Sequence, residues 1–194
     1  INSVRLTGGE PTLRANLSDL ISMLSELPIE IALTTNGVNM NKNAHIYHSA
    51  GLHRVNISID SLRAERFKEI TLRDDMEKVI TGIEASIDAG LSPVKINVVV
   101  MRGINDDEII DFAKFGRELG VIVRFIEFMP LDADEKWSTL SVVSLEEIFS
   151  AINSIYPLEP VKRSNAPASR FRYIDGRGEI GIVASVTQKF CDTC

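Results

Sequence analysis

Apolar and polar positions alternate in five β-branched runs, Ser3–Thr7, Glu30–Thr35, Arg54–Asp60, Pro93–Met101 and Val121–Met129, and each predicts a strand. Stretches of helical period separate them. Leu17, Leu20, Ile21, Leu24 and Leu27 share one helix face, as do Val79, Ile80, Ile83 and Ile87 in a long helix that Gly90 ends. Asn16 and Asp106 are expected N-caps, the second opening "DDEIIDFAKFGRELG". Strand and helix alternate at the spacing of βα units, which predicts a parallel sheet.

Beyond Pro130 the pattern changes. A polar loop, "LDADEKWSTLS", precedes a helix expected over 144–154, and "YPLEPVKRSNAPAS" reads as a segment crossing the surface. Two strands then form an expected hairpin through Asp175-Gly176-Arg177-Gly178. That hairpin leads to Cys191 and Cys194. The expected organisation is therefore a β/α part over 1–130 and an extension over 131–194.

Side-chain parity says more than the elements themselves, because alternate strand residues face opposite sides of a sheet. Arg5 and Thr7 oppose Val4 and Leu6; Thr34 and Asn36 oppose Ile31 and Leu33. Asn56, Ser58 and Asp60 oppose Val55, Ile57 and Ile59, while Lys95 and Asn97 oppose Val94, Ile96 and Val98. A parallel sheet covered by helices on both faces is apolar on both, and closed β/α barrels fill their centre with Val, Ile and Leu. This alternation instead predicts an open, partial barrel whose inner face is polar and holds a polar ligand. The fifth run is less regular, since Arg124 shares its parity with Ile126 and Phe128, which a bulge would explain.

Composition narrows the class of ligand. The 194 residues are 44% hydrophobic, enough for a sizeable core, and 27 acidic against 21 basic residues give a net charge of −6. Scattered cations on an acidic chain argue against nucleic acid as a partner. No apolar run is long enough to span a bilayer, so no membrane role and a cytoplasmic location are expected. The chain starts at Ile1 within a strand and stops at the second thiol of a CxxC pair, which reads as a fragment missing both ends.

The punctuating motifs fall at the C-terminal strand ends, where β/α barrels carry their active sites. They are "GGEP" at Gly8–Pro11, "TTNG" at Thr34–Gly37, "SID" at Ser58–Asp60 and "EFMP" at Glu127–Pro130. Adjacent glycines there expose backbone N–H and C=O to a ligand. Arg5 and Lys95 add cations to this polar face, or else neutralise Asp60 or Glu10. Cys191 and Cys194 fit a structural zinc or redox pair as well as part of a cluster. His45 and His48 read as a solvated helix face, and Phe125, Phe128 and Trp137 as packing.

Taken together, "RLTGGEP", "LTTNG", "AGLHRVNISIDSL", "PVKINVVVMRGINDDEI", "RFIEFMP" and "FCDTC" resemble the radical S-adenosylmethionine superfamily and, within it, the GTP 3′,8-cyclase family of molybdenum cofactor biosynthesis. The resemblance implies an α/β fold, a partial (β/α)6-type barrel that stays open, with a C-terminal β-hairpin extension. It implies that Gly8, Gly9, Glu10, Ser58, Asn97 and Met129 bind S-adenosylmethionine and that Arg5, Thr34 and Lys95 bind GTP. It further implies two [4Fe–4S] clusters in the full protein. The ligands of one would lie upstream of Ile1, and Cys191 and Cys194 would be two of the three ligands of the other.

The implied reaction converts GTP to (8S)-3′,8-cyclo-7,8-dihydroguanosine 5′-triphosphate, through a radical made from S-adenosylmethionine that abstracts the C3′ hydrogen. No side chain is assigned as catalytic, since the cofactor carries the hard chemistry. Implied partners are an electron donor such as flavodoxin or ferredoxin, the downstream cyclic pyranopterin monophosphate synthase, and a second copy in a homodimer. The fragment alone would be inactive. Two other readings stay open: a peptide-modifying maturase of the same superfamily, against which Arg5 and Lys95 speak, and a non-catalytic nucleotide-binding domain with a zinc CxxC.

Overall fold

The structure, a computed structural model, describes residues 1–130, 137–162 and 167–188. It forms two compact units: Ile1–Ile59 with Phe67–Ile96, and Asp60–Arg66 with the chain from Asn97 onward. Strand β4 (Val94–Val100) contributes its first three residues to one and its last four to the other.

In the first unit, β1 (Ser3–Leu6), β2 (Glu30–Thr35) and β3 (Arg54–Ser58) pair in parallel. Helices α1 (Leu17–Ser25), α2 (Met40–Ser49) and α4 (Met76–Asp88) supply the cover, and α3 (Ala64–Thr71) follows β3. The register sets Leu6, Leu33 and Val55 side by side, so one face gathers Ile31, Leu33, Val55 and Ile57, all solvent-free. Each such side chain stabilises the fold by about 1.5–3 kcal/mol. Helix α4 approaches this face closely. A Cβ on Gly37, whose φ is +82°, would stand 2.7 Å from Ile57 Cγ2 and 3.3 Å from Val79 Cγ1, and one on Gly82 would strike the Gly37 carbonyl. Only glycine combines that left-handed turn with that contact.

One detail differs from the sequence-based expectation. Asn16 does precede α1, but in the left-handed conformation (φ 57°) and without a side-chain cap; asparagine is one of the few residues that tolerate it. Helix α2 carries little periodic signal because its buried positions are only Met40, Ala44 and Tyr47.

The second unit holds the rest of β4, α5 (Ile109–Leu119), β5 (Ile122–Glu127), α6 (Leu145–Asn153), β6 (Leu158–Pro160), β7 (Ser169–Tyr173) and β8 (Glu179–Val183). Its strands run in the order β5-β8-β7-β6, with β8 parallel to β5 and the other two pairings antiparallel. Ser144 begins α6 with a capping box, its hydroxyl accepting from the Glu147 N–H while the Glu147 carboxylate accepts from the Ser144 N–H. Asp175 pairs with Arg117 at 2.5 Å, and the Arg117 guanidinium carbon lies 4.4 Å from the ring centres of both Tyr156 and Tyr173, which ties the hairpin turn to α5.

Three expectations change here. Segment 156–169 is not all surface crossing, since Leu158–Pro160 pairs with β7 as a short edge strand; Pro160 hides it in the sequence and is tolerated at an edge. Asp106 does not cap α5: its carboxylate accepts from the Gly103 N–H at 2.8 Å, and the helix starts at Ile109 behind a short 3-10 turn. No bulge disturbs β5, whose alternation is regular, with Val123, Phe125 and Glu127 buried and Ile122, Arg124 and Ile126 half-buried. Among the described residues, β1 and β6 each have a strand neighbour on one side only.

Candidate functional site

In the first unit the face opposite the helices is polar. Register sets Arg5 beside Ala32 and Ala32 beside Arg54, and sets Thr34 beside Asn56; Ser58 follows two residues on. Arg5 and Ser58 are exposed, Thr34 is half-buried and Asn56 is 2% exposed. Three polar atoms on this face, Thr34 Oγ1, Asn56 Nδ2 and Arg54 Nε, are buried with no hydrogen-bond partner among the described residues. Arg54 still pairs with Glu30 through Nη2 at 2.8 Å. A buried polar group left unpaired costs about 1–3 kcal/mol, so three together on one surface mark a place built for something other than stability. On β4, Lys95 is half-buried between the buried Val94 and Ile96.

The strand-end turn after β1 is fixed by one carboxylate. Glu10 Oε1 accepts from the Thr12 N–H (3.0 Å), the Thr12 hydroxyl (2.6 Å) and the Thr35 hydroxyl (2.7 Å), and Oε2 accepts from the Asn36 N–H (2.7 Å). Burial works to raise this carboxyl, but the donors from Asn36, Thr12 and Thr35 outweigh it and hold it below the ordinary glutamate value. Its partners are hydroxyls and amides rather than Arg5. Preceding it, Gly8 and Gly9 face open space where a Cβ would stand.

Three acidic groups and one asparagine organise the second unit. Asp60 Oδ1 accepts from the Val99 N–H at 2.8 Å, and burial pushes its carboxyl up despite that bond. Asn105 Nδ2 donates to the carbonyls of Asp60 (2.7 Å) and Val99 (2.8 Å), while its Oδ1 accepts from the Met101 N–H (2.7 Å). Glu108, fully buried, accepts from the Ser61 hydroxyl (2.7 Å), the Leu62 N–H (2.7 Å) and Arg66 Nη1 (2.6 Å). Glu127, also fully buried, accepts from the N–H groups of Leu145 (3.0 Å), Val186 (2.8 Å) and Thr187 (2.8 Å) and from the Thr187 hydroxyl. Asn97 Oδ1 is buried without a partner among the described residues, and Met129 is half-buried just past β5.

The residues singled out in the sequence thus stand as follows. Arg5, Thr34, Lys95, Gly8, Gly9, Glu10 and Ser58 belong to the first unit, Asn97 and Met129 to the second. Cys191 and Cys194 lie outside the described residues. No group of three or more His, Cys, Asp or Glu able to hold a metal occurs among the described residues. His45 and His48 are exposed on α2, and Trp137 donates its indole N–H to the Phe128 carbonyl at 2.9 Å. Sequence reasoning passed over Arg54, named Glu127 only as the start of the "EFMP" motif, and named Asn56 only as one of a polar set. Asn56 had a signal, its polar parity inside a strand of Val and Ile; Glu127 had its place at a strand end in "EFMP", but nothing in the sequence showed its turn to the core side of β5.

An open α/β sheet with polar groups along one strand face and a glycine-rich turn at a strand end fits the comparison with known sequences: the chain belongs to the radical SAM superfamily, whose family model matches residues 1–116. A second model, Molybdenum Cofactor Synthesis C, matches residues 121–194. More particularly, the chain is 45% identical over its whole length to a GTP 3′,8-cyclase of Moorella thermoacetica and 42% identical to one of Acidothermus cellulolyticus, covering 61% and 55% of those proteins. It therefore spans little more than half the length of the curated relatives it matches. Among solved structures, Streptococcus suis SuiB bound to S-adenosylmethionine superposes with a TM-score of 0.64 at 20% identity, over 78% of this chain and 36% of that one. No helix among the described residues is long and apolar enough to cross a membrane.

Proposed function

We propose that this chain is part of a GTP 3′,8-cyclase, a radical SAM lyase that converts GTP to (8S)-3′,8-cyclo-7,8-dihydroguanosine 5′-triphosphate in molybdopterin precursor biosynthesis. One observation carries the reading: identity of 41–45% across the full chain to relatives of that name. The polar strand face supports it. Arg5 and Lys95 would pair with phosphate oxygens, where charge-assisted bonds are strongest, and Thr34 would bond the same nucleotide.

S-adenosylmethionine suits the donor and acceptor set present. Gly8 and Gly9 leave their backbone open to a ligand, and the partnerless Asn97 Oδ1 is an acceptor for a hydroxyl or ammonium. Ser58 and the Met129 backbone complete the proposed contacts, while Glu10 holds the glycine turn in shape. When bound, S-adenosylmethionine supplies the radical chemistry; this chain's own residues bind, orient and exclude water. The iron–sulfur clusters, with Cys191 and Cys194 among the ligands of one, belong to the same proposal, as do a flavodoxin- or ferredoxin-type electron donor, the synthase that consumes the product, and a cytoplasmic homodimer.

The test uses the full-length protein reconstituted without oxygen. Expected are iron–sulfur absorbance and 5′-deoxyadenosine formation that requires GTP, with Arg5→Ala and Lys95→Ala weakening GTP binding more than S-adenosylmethionine binding. A colourless zinc protein, or equal loss of both ligands, would defeat the reading.

A further inference from the structure

Asn56 is the most enclosed polar side chain on the strand face described above, and its amide nitrogen has no partner among the described residues. An asparagine kept in a core for structural reasons is held there by hydrogen bonds, because burial of an unpaired amide is unfavourable. The Asn56 amide nitrogen has no such bond among the described residues. Nor is it covered by the helices: Val79 and Gly37 crowd against Ile57, the next residue along β3, whose side chain points to the opposite face.

Register then gives Asn56 a neighbour of the same kind. Thr34 lies beside it on β2, and the Thr34 hydroxyl is likewise buried with no partner among the described residues. Adjacent strands stand about 4.8 Å apart. An amide donor and a hydroxyl at that separation can bond two oxygens of one ligand group or converge on a single one. Arg5 on the same face favours an anionic ligand, Arg54 being paired with Glu30, and the N–H groups of Asn56 match oxygen acceptors of the sort a nucleotide carries on its base, sugar and phosphates.

We propose that Asn56 is a further nucleotide-contacting residue, its side-chain amide donating to an oxygen of GTP beside the Thr34 hydroxyl. The proposal rests on the reading of this face as the nucleotide site. It explains why evolution of a stable fold has left an unpaired amide there: the partner arrives with the substrate.

The experiment measures GTP and S-adenosylmethionine affinity by anaerobic calorimetry on the full-length protein, together with the thermal midpoint of the ligand-free form. Asn56→Leu keeps the volume and removes the amide; it should weaken GTP about tenfold, the worth of one good hydrogen bond, and leave S-adenosylmethionine affinity unchanged. Asn56→Asp, which turns a donor toward a polyanion into a negative charge, should weaken GTP more. The ligand-free midpoint of Asn56→Leu should stay level or rise, since an orphaned donor has gone. Unchanged GTP affinity with a lowered midpoint would overturn the proposal and assign the amide to an ordered structural water. If Asn56→Leu does not fold, Asn56→Ala carries the same comparison, with weakened GTP in support and intact GTP against. Thr34→Val separates the two levels of argument. Loss of GTP affinity in Thr34→Val but not in the Asn56 variants removes only this inference, whereas intact affinity in both removes the nucleotide reading of the face.

Discussion

Two sets of buried and half-buried polar groups in this protein use burial in opposite ways. Glu10, Glu108 and Glu127 are surrounded by donors, each accepting three or four hydrogen bonds that draw distant segments together. Thr34, Arg54, Asn56 and Asn97 each keep a buried polar atom without a partner among the described residues. The first population is architecture, in which a carboxylate does the work of several backbone pairings. The second stores unmet hydrogen-bonding capacity along strand faces. The first consists of glutamates in turns and at a strand end, the second of Thr, Arg and Asn within strands.

The largest expected effect comes from breaking an architectural group. Glu127→Ala strands three backbone N–H groups and a hydroxyl, and should destabilise the protein by about 3 kcal/mol or more, read as a lower denaturation midpoint. A loss under about 1 kcal/mol would show that the carboxylate does not hold the segment after β8. Next comes Glu10, whose carboxyl lies below its ordinary value of 4.5 in the folded protein. A depressed carboxyl contributes stability that is present above its ordinary value and is lost as pH falls through the lower folded one. Stability should therefore drop as pH falls below 4.5, and Glu10→Gln should flatten that dependence at a cost of about 1–2 kcal/mol near neutrality. An acid limb identical in variant and parent would exclude Glu10 as its source.

The smallest effect has the opposite sign. Burial raises Asp60, so its ionisation disfavours the folded state, and stability tied to this group is present below the ordinary value of 3.8 and lost as pH rises through the higher folded one. Asp60→Asn keeps an acceptor for the Val99 N–H and removes the charge. It should gain up to about 1 kcal/mol at neutral pH, and a destabilised variant would place Asp60 among the architectural carboxylates instead.

What the sequence made legible follows from physics that is local. Alternation in "IALTT" and "RVNIS" placed Thr34, Asn56 and Ser58 on one face because the period of a strand is fixed at two, and register then joined those faces strand to strand. Helix α6 was legible from Ser144 and Glu147, three residues apart. The donors of Glu10 were not, since Thr35 and Asn36 lie 25 and 26 residues further on. In "NDDE", three consecutive acids offer equal capping chemistry, and only packing decides that Glu108 turns inward to Ser61 while Asp107 stays with Arg63 and Arg66. The short strand β6 exists only because β7 is there to receive it.

The placement of β8 between β5 and β7 has a consequence for how the chain comes to be made. Val123 waits for Ile180, a residue synthesised 57 positions later, before the free side of its strand is covered. Until then a ribosome-bound chain presents Val123 and Phe125 along a bare edge, the kind of surface on which unfinished proteins stick to one another. A truncation or stall between Tyr173 and Val183 should thus yield aggregates or chaperone-bound chains, because β5 is then left without its β8 neighbour.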